Sequence, residues 1–315
     1  MTRPGSVADN PMLGIFLMLA FCLLAPLADA VAKLLGERFD VGQLVLIRFA
    51  AQAAIFSAIA LALGRFEWPV GRVRRLVIWR TGLHIIGTGT MFVALTFLPL
   101  ADTIAIAYVM PFLVLLLGYL FLGEAVGPHR IAACIVGFVG TLMVIQPSFA
   151  AVGWPALLPL VVAVDFAAFT LVTRAVSKDI DPVALQAASG IMAVAILAPA
   201  MLILSPLGVP GAGVTAPMAG DWGLLVLMGL LAPIGHLFFA VALRIAPSAT
   251  LAPMQYLEIP VAAVLGWLIF REFPNGLALT GIVVTVAAGL YVVLRERRLS
   301  RVAPTTPRGV PPAEG

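Results

Sequence analysis

The chain has 315 residues, 62% of them hydrophobic and only 11% charged, with a mean hydropathy of +1.10 and a net charge of +4. Soluble domains carry about 25% charged residues, so this composition excludes an ordinary soluble fold. The Lys and Arg residues are spread over loops and tail, with Arg48 inside an apolar run, and this excludes nucleic acid as the partner.

Crossing the ~30 Å hydrocarbon core of a bilayer takes about 20 apolar residues. Ten such runs follow one another, at 12–35, 41–63, 76–97, 100–122, 128–145, 154–173, 182–204, 222–243, 249–270 and 277–294. None shows the period-2 pattern of a barrel strand. Backbone groups in lipid must be satisfied within the segment, so the expected fold is an all-α polytopic membrane protein with ten transmembrane helices. The first run is too long for a signal peptide and precedes further spans. Cys22 and Cys134 lie inside apolar runs and read as small buried residues. Gly64 to Arg80 reads as a basic loop with Trp68 and Trp79, and 205–221 as a flexible external loop rich in Gly and Pro. The basic, proline-containing tail 295–315 reads as disordered.

With residues 1–11 in the cytoplasm, fifteen of the nineteen Lys and Arg fall on the cytoplasmic side, Arg80 among them. Lys33, Arg38 and Arg271 fall outside. The positive-inside rule then places both termini in the cytoplasm.

The second five runs echo the first five at an offset of 148 residues: Pro99 with Pro247, Tyr108 with Tyr256, Gly118 with Gly266, Glu124 with Glu272. At the front of each half the offset is 141, pairing Lys33 with Arg174 and Asp40 with Asp181. Five spans per half is an odd number, so the second copy inserts upside down, and sites then form between the halves near mid-bilayer.

The stretch 94–124, with Pro111 in mid-span and Gly123-Glu124 at its close, and its partner 242–272, where Arg271 replaces the usual glycine, resemble the drug/metabolite transporter superfamily in its ten-helix form with two EamA-type repeats. Arg48 fits the same pattern. The resemblance spans residues 12–146 and 154–294. It implies ten helices, a central substrate cavity between the repeats and a bacterial inner-membrane location. It also implies solutes such as amino acids, nucleotide sugars, vitamins, S-adenosylmethionine-like compounds or drugs.

Ionisable groups inside spans are the informative ones, because each costs about 2.5–3.5 kcal/mol at a helix centre. Asp165 falls near the middle of the sixth run. Glu258 and Tyr256 fall mid-way along the ninth, beside Pro253 and Pro260, and Tyr108 mid-way along the fourth, beside Pro111. A carboxylate at that depth accepts a substrate cation, holds a coupling proton, or makes a structural hydrogen bond. The two tyrosines suit opposite walls of one cavity or plain packing. His84 and His236, in equivalent spans, are candidates for proton transfer, with a structural role as the plainer reading. Asp29 and Lys33 are spaced i,i+4 and read as an internal ion pair or an external gate. Arg48 needs an acidic or carbonyl partner, in the scaffold or on a substrate. Glu124 and Glu272 sit at loop depth and read as helix-capping groups. The small-residue ridges Ala133-Gly137-Thr141 and Gly281-Thr285-Gly289 read as scaffold or homodimer surfaces.

The expected activity is secondary transport of a small amino acid, vitamin or related cationic or zwitterionic solute by alternating access, with a proton as the candidate coupling ion. No GxxxxGK[ST] loop is present for ATP hydrolysis. Three histidines, none at ligand spacing from a cysteine, suggest no metal, and no cofactor is expected. The rival class is a membrane-embedded enzyme acting on lipid-like substrates. It would need a nucleophile motif or clustered ligands near an interface, and none is evident.

Overall fold

The computed structural model describes residues 11–110, 112–113, 128–246, 251 and 254–302. Sequence features at Pro111, Gly118, Gly123, Glu124, Pro247 and Pro253, and those before residue 11 or after 302, lie outside the described residues. So does the Cys134 side chain. Among the described residues every regular element is helical: α1 (Pro11–Leu35), α2 (Val41–Ala62), α3 (Gly71–Phe97), α4 (Leu100–Ala107), α5 (Pro128–Val152), α6 (Leu158–Val176), α7 (Pro182–Leu204), α8 (Trp222–Ile245), α9 (Glu258–Leu265) and α10 (Gly276–Val302). Among the described residues, seven helical stretches are long and apolar enough to cross a membrane. Their outward faces carry exposed apolar side chains such as Phe16, Leu61, Ile135, Leu202 and Val226. Such a surface is stable only against lipid.

Local chemistry explains where several helices start and stop. Asp181 accepts hydrogen bonds from the backbone N–H groups of Val183 (2.9 Å) and Ala184 (3.4 Å), and Pro182 occupies the first helical position of α7. Both devices satisfy or remove donors that a helix start leaves unpaired. After α9 the chain continues as a π-helical turn, Gly266–Phe270, and ends in the left-handed region at Arg271 (φ 60°). Glycine enters that region without a Cβ penalty and other residues do not. The glycine usual in this motif therefore has a backbone reason, and Arg271 occupies a strained position.

The helices pair closely as α5 with α10, α1 with α8, α2 with α7 and α3 with α6, and α4 meets α9. Adding five to each helix number within the set returns the same pairs. The small-residue ridges are consumed in one of these contacts. Thr285 Oγ1 donates to the Gly137 carbonyl across the α5–α10 seam at 3.4 Å, and a Cβ on Gly281 would stand 2.5 Å from the Gly140 carbonyl oxygen. The ridges thus join helices within the chain rather than offering a free surface to a second copy.

Several elements differ from their sequence expectation. α3 begins at Gly71 rather than 76, and Arg80, expected among the cytoplasmic loop arginines, is buried on it against Thr173 and Ser189. α10 runs on to Val302, through the basic stretch read as a disordered tail. The 205–221 loop is tied down. Gln43 exchanges hydrogen bonds with the Thr215 backbone at 2.7 and 2.8 Å, the Gly213 N–H donates to Asp40, and Arg38 pairs with Asp221 at 2.5 Å. Its glycines and prolines set turns, while the ends of α1 and α2 supply partners no local pattern reveals.

Two substitutions test this packing by thermal unfolding of the purified protein. Gly281→Ala is expected to cost about 1–3 kcal/mol, because the crossing backbones leave no room for a methyl group. Arg271→Gly is expected to gain about 1 kcal/mol by relieving the left-handed conformation. A neutral Gly281→Ala or a destabilising Arg271→Gly would contradict the corresponding reading.

Candidate functional site

The site grows from two facing polar stripes. On α3, Arg80, His84 and Thr88 recur every four residues and share a face; on α6, Asp165, Phe169 and Thr173 do the same. The helices pack with these stripes in register. Arg80 Nε donates to Thr173 Oγ1 at 3.0 Å, the His84 ring lies 4.9 Å from Phe169, and the Asp165 carboxylate lies where a side chain on Gly87 would stand. Above the His84 layer the stripes part to leave a cavity of ≈ 130 Å³.

Seven sequence-selected residues line that cavity: Asp29 from α1, Arg48 from α2, His84 from α3, Tyr108 at the end of α4, Asp165 from α6, His236 from α8 and Glu258 at the start of α9. Phe21, Phe92, Phe166 and Phe169 supply aromatic walls. Tyr256 does not line the cavity. It is buried behind Tyr108, ring centroids 5.7 Å apart, and its ring fills the space a side chain on Gly289 would need. The two tyrosines therefore form one packed pair, not opposite walls.

Both tyrosines mark a break. α4 ends at Ala107 and turns at Tyr108–Val109; in the ninth run the helix turns at Tyr256 and Leu257 before α9 begins. Each break uses tight i→i+3 bonds, Val109 N–H to the Ile106 carbonyl and Leu257 N–H to the Met254 carbonyl. Broken helices at membrane depth are tolerated where they border protein or a wet cavity.

Arg48 organises the polar part. Its Nη1 donates to Thr88 Oγ1 at 2.8 Å, and its Nη2 faces His84 Nε2 at 3.1 Å and His236 Nδ1 at 3.3 Å. The two imidazoles stack at 4.4 Å, walled by Phe21, Phe49 and Phe169. A ring nitrogen that accepts from a guanidinium carries a lone pair, so the His84 proton sits on Nδ1, which is buried without an acceptor. His236 Nδ1 also lies 3.0 Å from the Ala232 carbonyl oxygen. It either donates to that carbonyl or accepts from Arg48, and cannot do both. Asp29 is the opposite charge acting on Arg48.

The carboxylates are less well served. Asp165 has no hydrogen bond or ion pair among the described residues, and neither does Asp29 at direct contact. Glu258 sits beside the Tyr108 hydroxyl and the Cys22 thiol, yet its Oε1 has no donor. The expected Asp29–Lys33 pair does not form. Lys33 instead joins Glu272 at 2.7 Å and the Leu98 carbonyl at 2.9 Å, because helix rotation turns Lys33 toward the end of the ninth run and Asp29 toward the cavity. Glu272 thus ties α1 to the second half rather than capping its own helix.

Two buried charged residues escaped the sequence reading, Arg80 and Asp102, the latter near the start of α4 and accepting from Ser148 Oγ at 3.0 Å. Arg80 was counted with loop arginines, but its i,i+4,i+8 alignment with His84 and Thr88 was a usable signal. The cavity aromatics were invisible among 18 phenylalanines.

Comparison with known proteins now places this cavity. The profile of the EamA-like transporter family matches residues 12–146 and 153–295. The chain belongs to this family. A riboflavin transporter of Rhizobium johnstonii is 30% identical over 77% of this chain and 76% of its own length. A pseudopaline exporter of Pseudomonas aeruginosa is 28% identical over 86% of each. A protein of known crystal structure matches the fold over 91% of this chain and 97% of its own, with a TM-score of 0.63 at 18% identity. This EamA-like protein is therefore a multi-pass membrane transporter, and its solute is a small molecule.

The geometry makes the Asp29–Arg48 link testable. Arg48→Met is expected to lower stability by about 3 kcal/mol or more, because the partner acid stays buried without compensation. Asp29→Asn in that background is expected to recover part of the loss. Strictly additive effects in this double-mutant cycle would show that the two charges are not coupled.

Proposed function

We propose that this EamA-like protein is a secondary transporter of ten spans in two inverted five-helix halves, working by alternating access, with both termini in the cytoplasm of a bacterial inner membrane. The symmetric helix pairing and the matched breaks at Tyr108 and Tyr256 support the inverted halves. With the buried Arg80 left out, fourteen of nineteen Lys and Arg on one side of the span pattern support the orientation.

The observation that carries the solute class is one cavity with unpaired acids, a guanidinium and aromatic walls. Asp165 and Glu258 suit a cationic or hydrogen-bond-donating group, Arg48 suits an anion or carbonyl, and the phenylalanine rings suit a flat apolar body. The solute is accordingly a small zwitterionic or polyfunctional metabolite with a planar part. Riboflavin, named for a relative of this chain, is the first compound to try.

Asp165 and Glu258 are also the candidate coupling groups, since a mid-depth carboxylate with a free acceptor oxygen can carry a proton across with the solute. Ion pairs between the halves stand at both ends of the path: Lys33–Glu272 and Arg38–Asp221 at one, Arg65–Asp181 and Arg72–Asp179 at the other. Making and breaking these sets in turn suits alternating access.

A panel of metabolites, riboflavin first, screened by thermal stabilisation identifies a solute, and its flux into proteoliposomes is then followed against pH. Asp165→Asn and Glu258→Gln are each expected to reduce flux about tenfold or more, the effect of losing one charge-assisted hydrogen bond, and at least one should flatten the pH profile. Wild-type flux and pH dependence in both variants would remove the coupling assignment.

A further inference from the structure

Among the described residues, Arg80 is the largest side chain with no exposed surface. It reaches from α3 to two helices of the other half. Nε donates to Thr173 Oγ1 on α6 at 3.0 Å, and Nη1 donates to Ser189 Oγ on α7 at 2.9 Å. Nη2 is buried with no acceptor at all. Among the described residues Arg80 makes no ion pair, and the charge acting on it is that of Arg48, which has the same sign.

A clasp between hydroxyls does not need a guanidinium. A neutral donor such as glutamine would join Thr173 and Ser189 without the desolvation cost of an unpaired ion, a cost that hydroxyl hydrogen bonds do not offset. What the charge and the free edge add is recognition of an anion, for which the planar fork is the favoured protein group. A second orphan lies close along the chain. Gln186 shares a face of α7 with Ser189 three residues on; its Oε1 accepts from Gln52 Nε2 on α2 at 3.2 Å, and its Nε2 is buried without an acceptor.

Phe169 stands between this cluster and the cavity. Arg80 Cζ lies 4.6 Å from its ring centroid, and the same ring lines the cavity and contacts His84 and His236. From Arg80 the α3 helix runs back to Arg75, Arg74 and Arg72, so the cluster lies between the cavity and the arginine-rich end of the molecule.

We propose that Arg80, with Ser189 and Gln186, is a second anion-binding station, separate from Arg48 and screened from the cavity by the Phe169 ring. It takes a carboxylate or a small inorganic anion when that ring swings aside. This deepens the transport reading, because a solute carboxylate leaving Arg48 toward the arginine-rich end meets Arg80 next.

The test needs no transport. Purified protein is titrated with sodium acetate and, separately, with sodium chloride, and the thermal unfolding midpoint is followed. A ligand bound only by the folded state raises it. A saturable rise is expected in wild type; the part of it that persists in Arg48→Gln, where the cavity guanidinium is gone, is expected to be lost in the Arg48→Gln/Arg80→Gln double variant, with general salt effects cancelling in the comparison. Phe169→Ala keeps Arg80 but removes the screen, and should reach half-saturation at several-fold lower acetate. A rise with acetate alone assigns the station to carboxylates, and an equal rise with chloride assigns it to small anions generally. An undiminished rise in the double variant, no rise with either salt in wild type or in Arg48→Gln, or an unchanged half-saturation in Phe169→Ala overturns the proposal. If the double variant does not fold, Arg80→Lys replaces Arg80→Gln in it, since lysine keeps the charge but not the fork; acetate dependence equal to that of Arg48→Gln likewise overturns the proposal. Solute flux can fail while this titration succeeds, and the reverse, so the two readings are tested separately.

Discussion

A guanidinium in the middle of an apolar helix bundle must be given acceptors, and much of this architecture follows from meeting that demand at Arg48. Thr88 and the His84 imidazole supply them from α3, with the His236 ring alongside from α8. α3 follows α2 directly, but α8 comes from the other half of the chain, so no local connection brings all three helices together. Holding these groups in place requires α2, α3 and α8 to converge on one point, and the convergence leaves room beside it. Asp29, Asp165 and Glu258 border that room. Acids inside a membrane protein are tolerated where they face the bundle interior or a wet cavity of this kind.

The same convergence explains the broken helices. The tilted rings of Tyr108 and Tyr256 pack against one another where α4 and α9 meet, and at each the α-helical ladder gives way to tighter turns. Glu258 follows directly after the second break, at the first position of α9, where unpaired backbone N–H groups favour a carboxylate. The scaffold stands apart from these breaks. α5 and α10 cross through Gly140 and Gly281 and contribute nothing to the cavity lining. Close backbone approach there gives a rigid seam against which the polar helices can differ in arrangement.

Contacts between the halves are unequal at the two ends. At one, Lys33 reaches Glu272 at 2.7 Å and Arg38 reaches Asp221 at 2.5 Å; at the other, Arg65–Asp181 and Arg72–Asp179 stand at 3.9 and 3.7 Å between more exposed groups. Exposed pairs at such distances contribute little. The firmer closure at the arginine-rich end comes from deeper in, where Arg80 joins Thr173 and Ser189. The molecule is thus held shut by surface ion pairs on one side and by a buried guanidinium on the other.

Much of the fold was legible in the chain because hydropathy is a local sum. The apolar runs, the echo of Tyr108 in Tyr256 and the depth of Asp165, Glu258, Arg48 and His84 could all be read by counting along the sequence. The arginine-for-glycine departure at 271 was visible too, although its backbone meaning was not. Partnership was not legible. Lys33 and Glu272 lie 239 residues apart, and Arg48 and His236 lie 188 apart. Whether such groups meet depends on the rotation of each helix about its axis and the register of its packing. A few tens of degrees of rotation decided that Asp29 faces the cavity while Lys33 turns away, and the packing of α3 on α6 and α7 put Arg80 in the core instead of among the loop arginines. Sequence alone established that charges lie within the membrane; only the packed helices determined which of them face one another.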